Sequence, residues 1–119
     1  MTSNLDGALG RNLLLRSDSY KVSHWVQYPP GTRTVFSYVE SRGGAFGHSV
    51  FFGLQAWLRE FMSRPVTQAD VHEADALMAL HGLPFNRAGW QLLIDRHGGW
   101  LPLRIRAGPG GSVVPVGHV

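Results

Sequence analysis

Apolar residues follow two different rhythms along this chain. Between residues 54 and 97 they recur every three to four positions, the spacing of a helix with one buried face. A helix is predicted over residues 54–62, entered through Val50-Phe51-Phe52. A second starts at Thr67-Gln68-Ala69-Asp70, a capping box with Asp in place of the usual Glu, and runs to about His81. Val71, Ala74, Met78 and His81 share its apolar stripe, with Leu77 beside them, and Gly82 is the natural stop. Asn86 caps a third helix, Arg87–His97, which buries Trp90, Leu93 and Ile94 before Gly98-Gly99 ends it. A shorter helix of about two turns is predicted over residues 20–27. Ser17-Asp18-Ser19 supplies its caps and Tyr28-Pro29-Pro30-Gly31 stops it.

Elsewhere the pattern is that of strands. Leu13-Leu14-Leu15 reads as a strand or a buried extended segment. Residues 32–41 are rich in Thr, Val, Phe and Tyr, with Phe36, Tyr38 and Glu40 on one face and Val35, Ser37 and Val39 on the other. A glycine-rich loop follows, from Arg42 to His48. Leu101, Leu103, Ile105 and Ala107 alternate with Pro102, Arg104 and Arg106, then a Gly-Pro-Gly-Gly-Ser turn leads to Val113-Val114-Pro115-Val116. A hairpin alone is marginal in water. Val113, Val114 and Val116 are expected to face nothing, which predicts a sticky chain cut short inside a β-rich region. Residues 1–11 carry no periodicity and read as a frayed end. The class is α+β, with roughly three helices, about four short strands and no internal repeat.

Size and charge narrow the picture. With 119 residues, 44% hydrophobic and 11% aromatic, the chain is one small domain with enough apolar surface to fold. No apolar run approaches a membrane span. There is no Cys, hence no disulfide framework, thiolate metal site or Cys nucleophile, and the default compartment is the cytoplasm. Lys and Arg total 11, and Lys21 is the only lysine. The arginines are dispersed rather than gathered in the stripe that nucleic-acid binders carry.

Motifs for chemistry are sparse. Of the six histidines (His24, His48, His72, His81, His97, His118) none stands in a metal-ligand spacing, and His72-Glu73 lacks the second His of a zincin. Gly43-Gly44-Ala45-Phe46-Gly47 lacks the Walker lysine. The densest stretch is Asp18 to Pro30, where Tyr20 and His24 are i, i+4 neighbours.

That stretch, Asp18-Ser19-Tyr20-Lys21-Val22-Ser23-His24 followed by Gln27-Tyr28-Pro29-Pro30, resembles the N-terminal signature of the nicotinamide phosphoribosyltransferase family. The likeness continues in order through Phe36 to Arg42, Val50 to Gln55, Phe85-Asn86-Arg87-Ala88-Gly89-Trp90, Gly99 to Ile105, and Val114 to Gly117. It covers residues 12–119. It implies the small N-terminal domain of a type II phosphoribosyltransferase, with an incomplete β-sandwich at its C-terminal end and without the catalytic barrel. The family joins nicotinamide to phosphoribosyl pyrophosphate, giving nicotinamide mononucleotide and pyrophosphate in NAD salvage, in a site shared between two subunits.

Carried over by position, the resemblance implies that Tyr20 stacks on the nicotinamide ring. It implies that Asp18 orients the carboxamide across the dimer interface, and that Arg42 reaches phosphate of the neighbouring site. No catalytic residue and no metal ligand is expected within this chain. Mg²⁺ is expected for the complete enzyme, and this chain by itself is expected to be inactive. Two other readings stand beside this one. The chain is a non-catalytic interaction module for a separate barrel domain or a full-length relative, or it is a basic nucleic-acid binder, resting on a pI near 10 and one Arg-Gly-Gly triplet.

Overall fold

The computed structural model describes residues 11–119. In chain order these contain a 3-10 turn at Leu13–Leu15, a 3-10 helix at Ser19–Gln27 and strand β1 at His48–Val50. Helices α1 (Leu54–Phe61), α2 (Gln68–Leu80) and α3 (Arg87–His97) follow, and strand β2 (Val113–Pro115) comes last. The α+β class is the expected one.

The helical half holds the core. Leu14, Val66, Val71, Ala74 and Leu93 form one buried cluster, against which Leu15, Phe85, Trp90, Ile94 and Leu101 pack. The stripe read on α2 is real for Val71, Ala74 and Met78, which are buried. His81 departs from it: it is the exposed C-cap residue, one step past the last turn. The Thr67 capping box forms as expected. Thr67 Oγ1 accepts from the Asp70 N–H at 3.2 Å, and Asp70 Oδ2 accepts from the Thr67 N–H at 2.8 Å. Helix α3 has the predicted bounds. Asn86 Oδ1 caps the Gly89 N–H at 2.9 Å, and Gly98 turns out of the helix at φ 57°.

The glycine in Asn86-Arg87-Ala88-Gly89 has a packing reason. A Cβ at Gly89 would lie 2.4 Å from the Asn86 amide nitrogen, so a side chain there would push the capping amide out of its place.

Four expectations are corrected. Leu13–Leu15 is a 3-10 turn rather than a strand, because Asn12 caps it and Arg16 N–H closes onto Leu13 O at 3.2 Å. Residues 20–27 form a 3-10 helix, starting at Ser19, rather than an α-helix. Residues 32–41 and 101–107 are irregular, so the described residues hold two strands instead of about four. The β2 segment pairs not with 101–107 but antiparallel with β1, in the register His48↔Pro115, Ser49↔Val114, Val50↔Val113. Alternation provides strand-like side chains, but a strand also needs a partner ladder. Neither 32–41 nor 101–107 finds one among the described residues.

The sheet half is correspondingly open. Phe36, Val39, Phe46 and Phe52 are all more than four-fifths exposed. The radius of gyration is 16.9 Å, against about 13.5 Å for a compact chain of this length. Val113 is exposed as expected, while Val114 and Val116 are half-buried.

Candidate functional site

The 3-10 helix Ser19–Gln27 carries most of the candidate chemistry. A 3-10 helix repeats every three residues, so side chains fall into three rows. Val22 and Trp25 make one row, and it meets the body: Trp25 Nε1 donates to Pro84 O at 3.5 Å. Asp18, Lys21, His24 and Gln27 make the second. Tyr20, Ser23 and Val26 make the third, with Ser23 Oγ donating to Tyr20 O at 2.7 Å. Nine residues is long for this helix type. Its Val, Trp, Tyr and Ser content is poor for an α-helix.

Asp18 does not cap this helix with its side chain. Its carboxylate pairs instead with Lys21 Nζ, 3.3 Å away and one 3-10 turn on, both groups being solvated. Tyr20 is 56% exposed. Its ring lies 5.5 Å from that of His24 at 59°, and Lys21 Nζ sits 5.9 Å from the ring centroid. The i, i+4 neighbours read from sequence therefore meet. What they form is an aromatic platform edged by a carboxylate and an ammonium, open to solvent.

Arg42 lies in another part of the fold. It follows Ser41, whose carbonyl accepts from the Gly117 N–H at 2.9 Å and whose hydroxyl accepts from Ser49 Oγ at 3.0 Å. These bonds tie the residue before Arg42 to the β1–β2 ribbon and leave the guanidinium exposed. Among the described residues it joins no salt bridge. Nothing in these contacts brings Arg42 to Asp18 or Tyr20.

Sequence reasoning missed Asn12. Its side chain is 1% exposed and fully bonded. Nδ2 donates to Asp70 O at 2.9 Å and to Glu73 Oε2 at 2.7 Å, and Oδ1 accepts from the Leu14 N–H at 3.0 Å. Beside it, Arg64 makes a forked pair with Asp70 at 3.0 and 3.1 Å and donates to Arg11 O at 2.6 Å. Burial pushes the Asp70 carboxyl up, but hydrogen bonds from Arg64 and Thr67 and the Arg64 charge outweigh it and hold it below its ordinary value. Arg16 then stacks over the buried Phe61 ring, 4.2 Å from its centroid. The only sequence hint of the part played by Asn12 is a polar residue in front of three leucines.

The family model described as nicotinamide phosphoribosyltransferase, N-terminal domain, matches residues 12–105. A nicotinamide phosphoribosyltransferase of Xanthomonas campestris pv. campestris (strain 8004) is 61% identical over 108 residues, which are 91% of this chain and 23% of that protein. One of Mycoplasma pneumoniae (strain ATCC 29342 / M129 / Subtype 1) is 31% identical over 71 residues, 60% of this chain and 15% of that protein. The chain thus spans less than a quarter of the length of these relatives. Its sequence over residues 12–105 places it in the nicotinamide phosphoribosyltransferase N-terminal domain family.

Proposed function

We propose that this chain is the N-terminal part of a nicotinamide phosphoribosyltransferase and lends Asp18, Tyr20 and Arg42 to an active site completed by a second copy or by a partner catalytic domain. The observation that carries this is the open Tyr20–Asp18 platform, exposed on a segment anchored at both ends within the stretch that the family matches. An aromatic ring held open to solvent is suited to a flat pyridine ring, and offset stacking is favourable. A carboxylate only accepts hydrogen bonds, so Asp18 is suited to the N–H groups of a carboxamide. The Arg42 fork matches phosphate oxygens.

The reaction is a displacement at the ribose anomeric carbon. The pyridine nitrogen forms a bond to that carbon as its bond to the pyrophosphate oxygen breaks, through an oxocarbenium-like state. Orienting the ring in line lowers the barrier by positioning, and cations on the leaving pyrophosphate stabilise its growing charge. In this proposal Tyr20 and Asp18 serve the first task and Arg42 the second. Mg²⁺ belongs to the expectation for the complete enzyme, and among the described residues no group of three His, Asp or Glu is gathered.

The 119-residue chain alone is expected to form no nicotinamide mononucleotide; formation without any partner protein overturns this. The roles are tested by exchanging this segment for the matching one of the Xanthomonas campestris relative. In that chimera Y20A is expected to raise the KM for nicotinamide about tenfold, and R42A to raise the KM for phosphoribosyl pyrophosphate instead. Unchanged constants in both variants overturn the assignment. The open apolar face favours a companion reading, docking on a separate barrel domain or a full-length relative. Failure to co-elute at micromolar concentration removes it.

A further inference from the structure

Five residues separate the most deeply bonded polar side chain in the described fold from the aromatic platform. We infer that Asn12 is a positioning residue for Asp18 and Tyr20, acting through the strap formed by residues 12–17; this rests on the nicotinamide reading given above.

The strap is held along most of its length. Asn12 ties it to α2 at two points, Asp70 O and Glu73 Oε2, while its own Oδ1 shapes the 3-10 turn through the Leu14 N–H. Leu14 enters the core beside Val71, Ala74 and Leu93, and Arg16 lies over Phe61. Only Ser17 then intervenes before Asp18. The far end of the 3-10 helix is held more weakly, by the long Trp25–Pro84 contact. The platform's own bonds are all local: Asp18 with Lys21, Ser23 with Tyr20, and Tyr20 against His24. Its position relative to the body is therefore set mainly from the Asn12 end. A buried amide with three satisfied bonds has one orientation, and any replacement leaves partners unpaired. A shift there carries to Tyr20 as a displacement of the whole segment, and an error of about 1 Å in a reacting ring can cost about a hundredfold in rate.

Hydrogen exchange on the 119-residue chain gives the first readout. In N12A, amides of residues 19–27 are expected to exchange at least about tenfold faster, while those of α2 and α3 keep their protection. Uniform loss of protection across all three, or no change at 19–27, overturns the inference. N12D places a carboxylate against Glu73 and should act like N12A. The double variant N12D/E73Q restores one bond with donor and acceptor reversed and is expected to recover part of the protection at 19–27; no recovery counts against the inference. In the chimera with the Xanthomonas campestris relative, N12A is expected to raise the KM for nicotinamide several-fold with the KM for phosphoribosyl pyrophosphate unchanged. A raised constant for Y20A but not for N12A overturns this inference alone. Unchanged constants for both overturn the nicotinamide reading as well.

Discussion

Gly99 shows how one residue can be fixed twice. Its φ is +82°, where side chains are strained, and a Cβ there would lie 2.2 Å from Val66 O. Gly99 O in turn accepts from the Val66 N–H at 2.9 Å, locking the exit of α3 onto the loop before α2. The expected outcome for G99A is a loss of about 3 kcal/mol, combining backbone strain and overpacking, measured by urea unfolding. G47A is the matched control. Gly47 has ordinary φ and open space around its Cβ position, so this change should stay within about 0.5 kcal/mol of wild type. The Gly98-Gly99 pair was legible as a helix stop. That its second glycine is also a buried contact was not, since Val66 is 33 residues away in sequence and adjacent only in the fold.

Among the elements, α2 is the hub. Its N-terminus holds Thr67, Asp70 and Arg64 in one cap, and its Asp70–Glu73 turn carries the Asn12 strap. Asp70 titrates at a lower pH folded than unfolded, so the unfolded state binds the extra proton within that window. Stability from this group is therefore complete at neutral pH. It is expected to fall as pH drops through the unfolded value of 3.8 toward the lower folded one. D70N should lose about 1–2 kcal/mol at pH 7 and show a shallower acid limb in melts taken as pH falls through 3.8 and below. An acid limb identical to wild type would count against Asp70 as its source. The capping box was visible in four consecutive residues because both of its bonds are local. The Arg64 fork and the Asn12 amide were not visible, because their partners are brought in by helix packing.

At the scale of the whole molecule, the two halves differ in how their apolar residues are used. The helices bury theirs, while residues 32–41 and the β1–β2 ribbon leave Phe36, Val39, Phe46 and Phe52 in water. Large apolar side chains left in water in this number are expected to be covered in an assembly. The isolated chain is expected to self-associate and to bind an apolar dye. The double change F36S/V39S should reduce both, with little effect on the melting of the helical core. A monomer that binds no dye before mutation would show the face to be harmless in water.

Much of this protein was determined along the chain itself. Helices α2 and α3, their caps and their stops follow from local periodicity and from side chains bonding within four residues, and the ordered motifs fix the family. Tertiary structure decided the rest. It chose β1 as the partner of β2, left residues 32–41 and 101–107 without a ladder among the described residues, and wound residues 19–27 as a 3-10 helix. It also joined Asn12 to α2. Each of these outcomes depends on which distant backbone or side-chain group arrives alongside, and hydrophobic rhythm records only that a surface is to be covered, not by what.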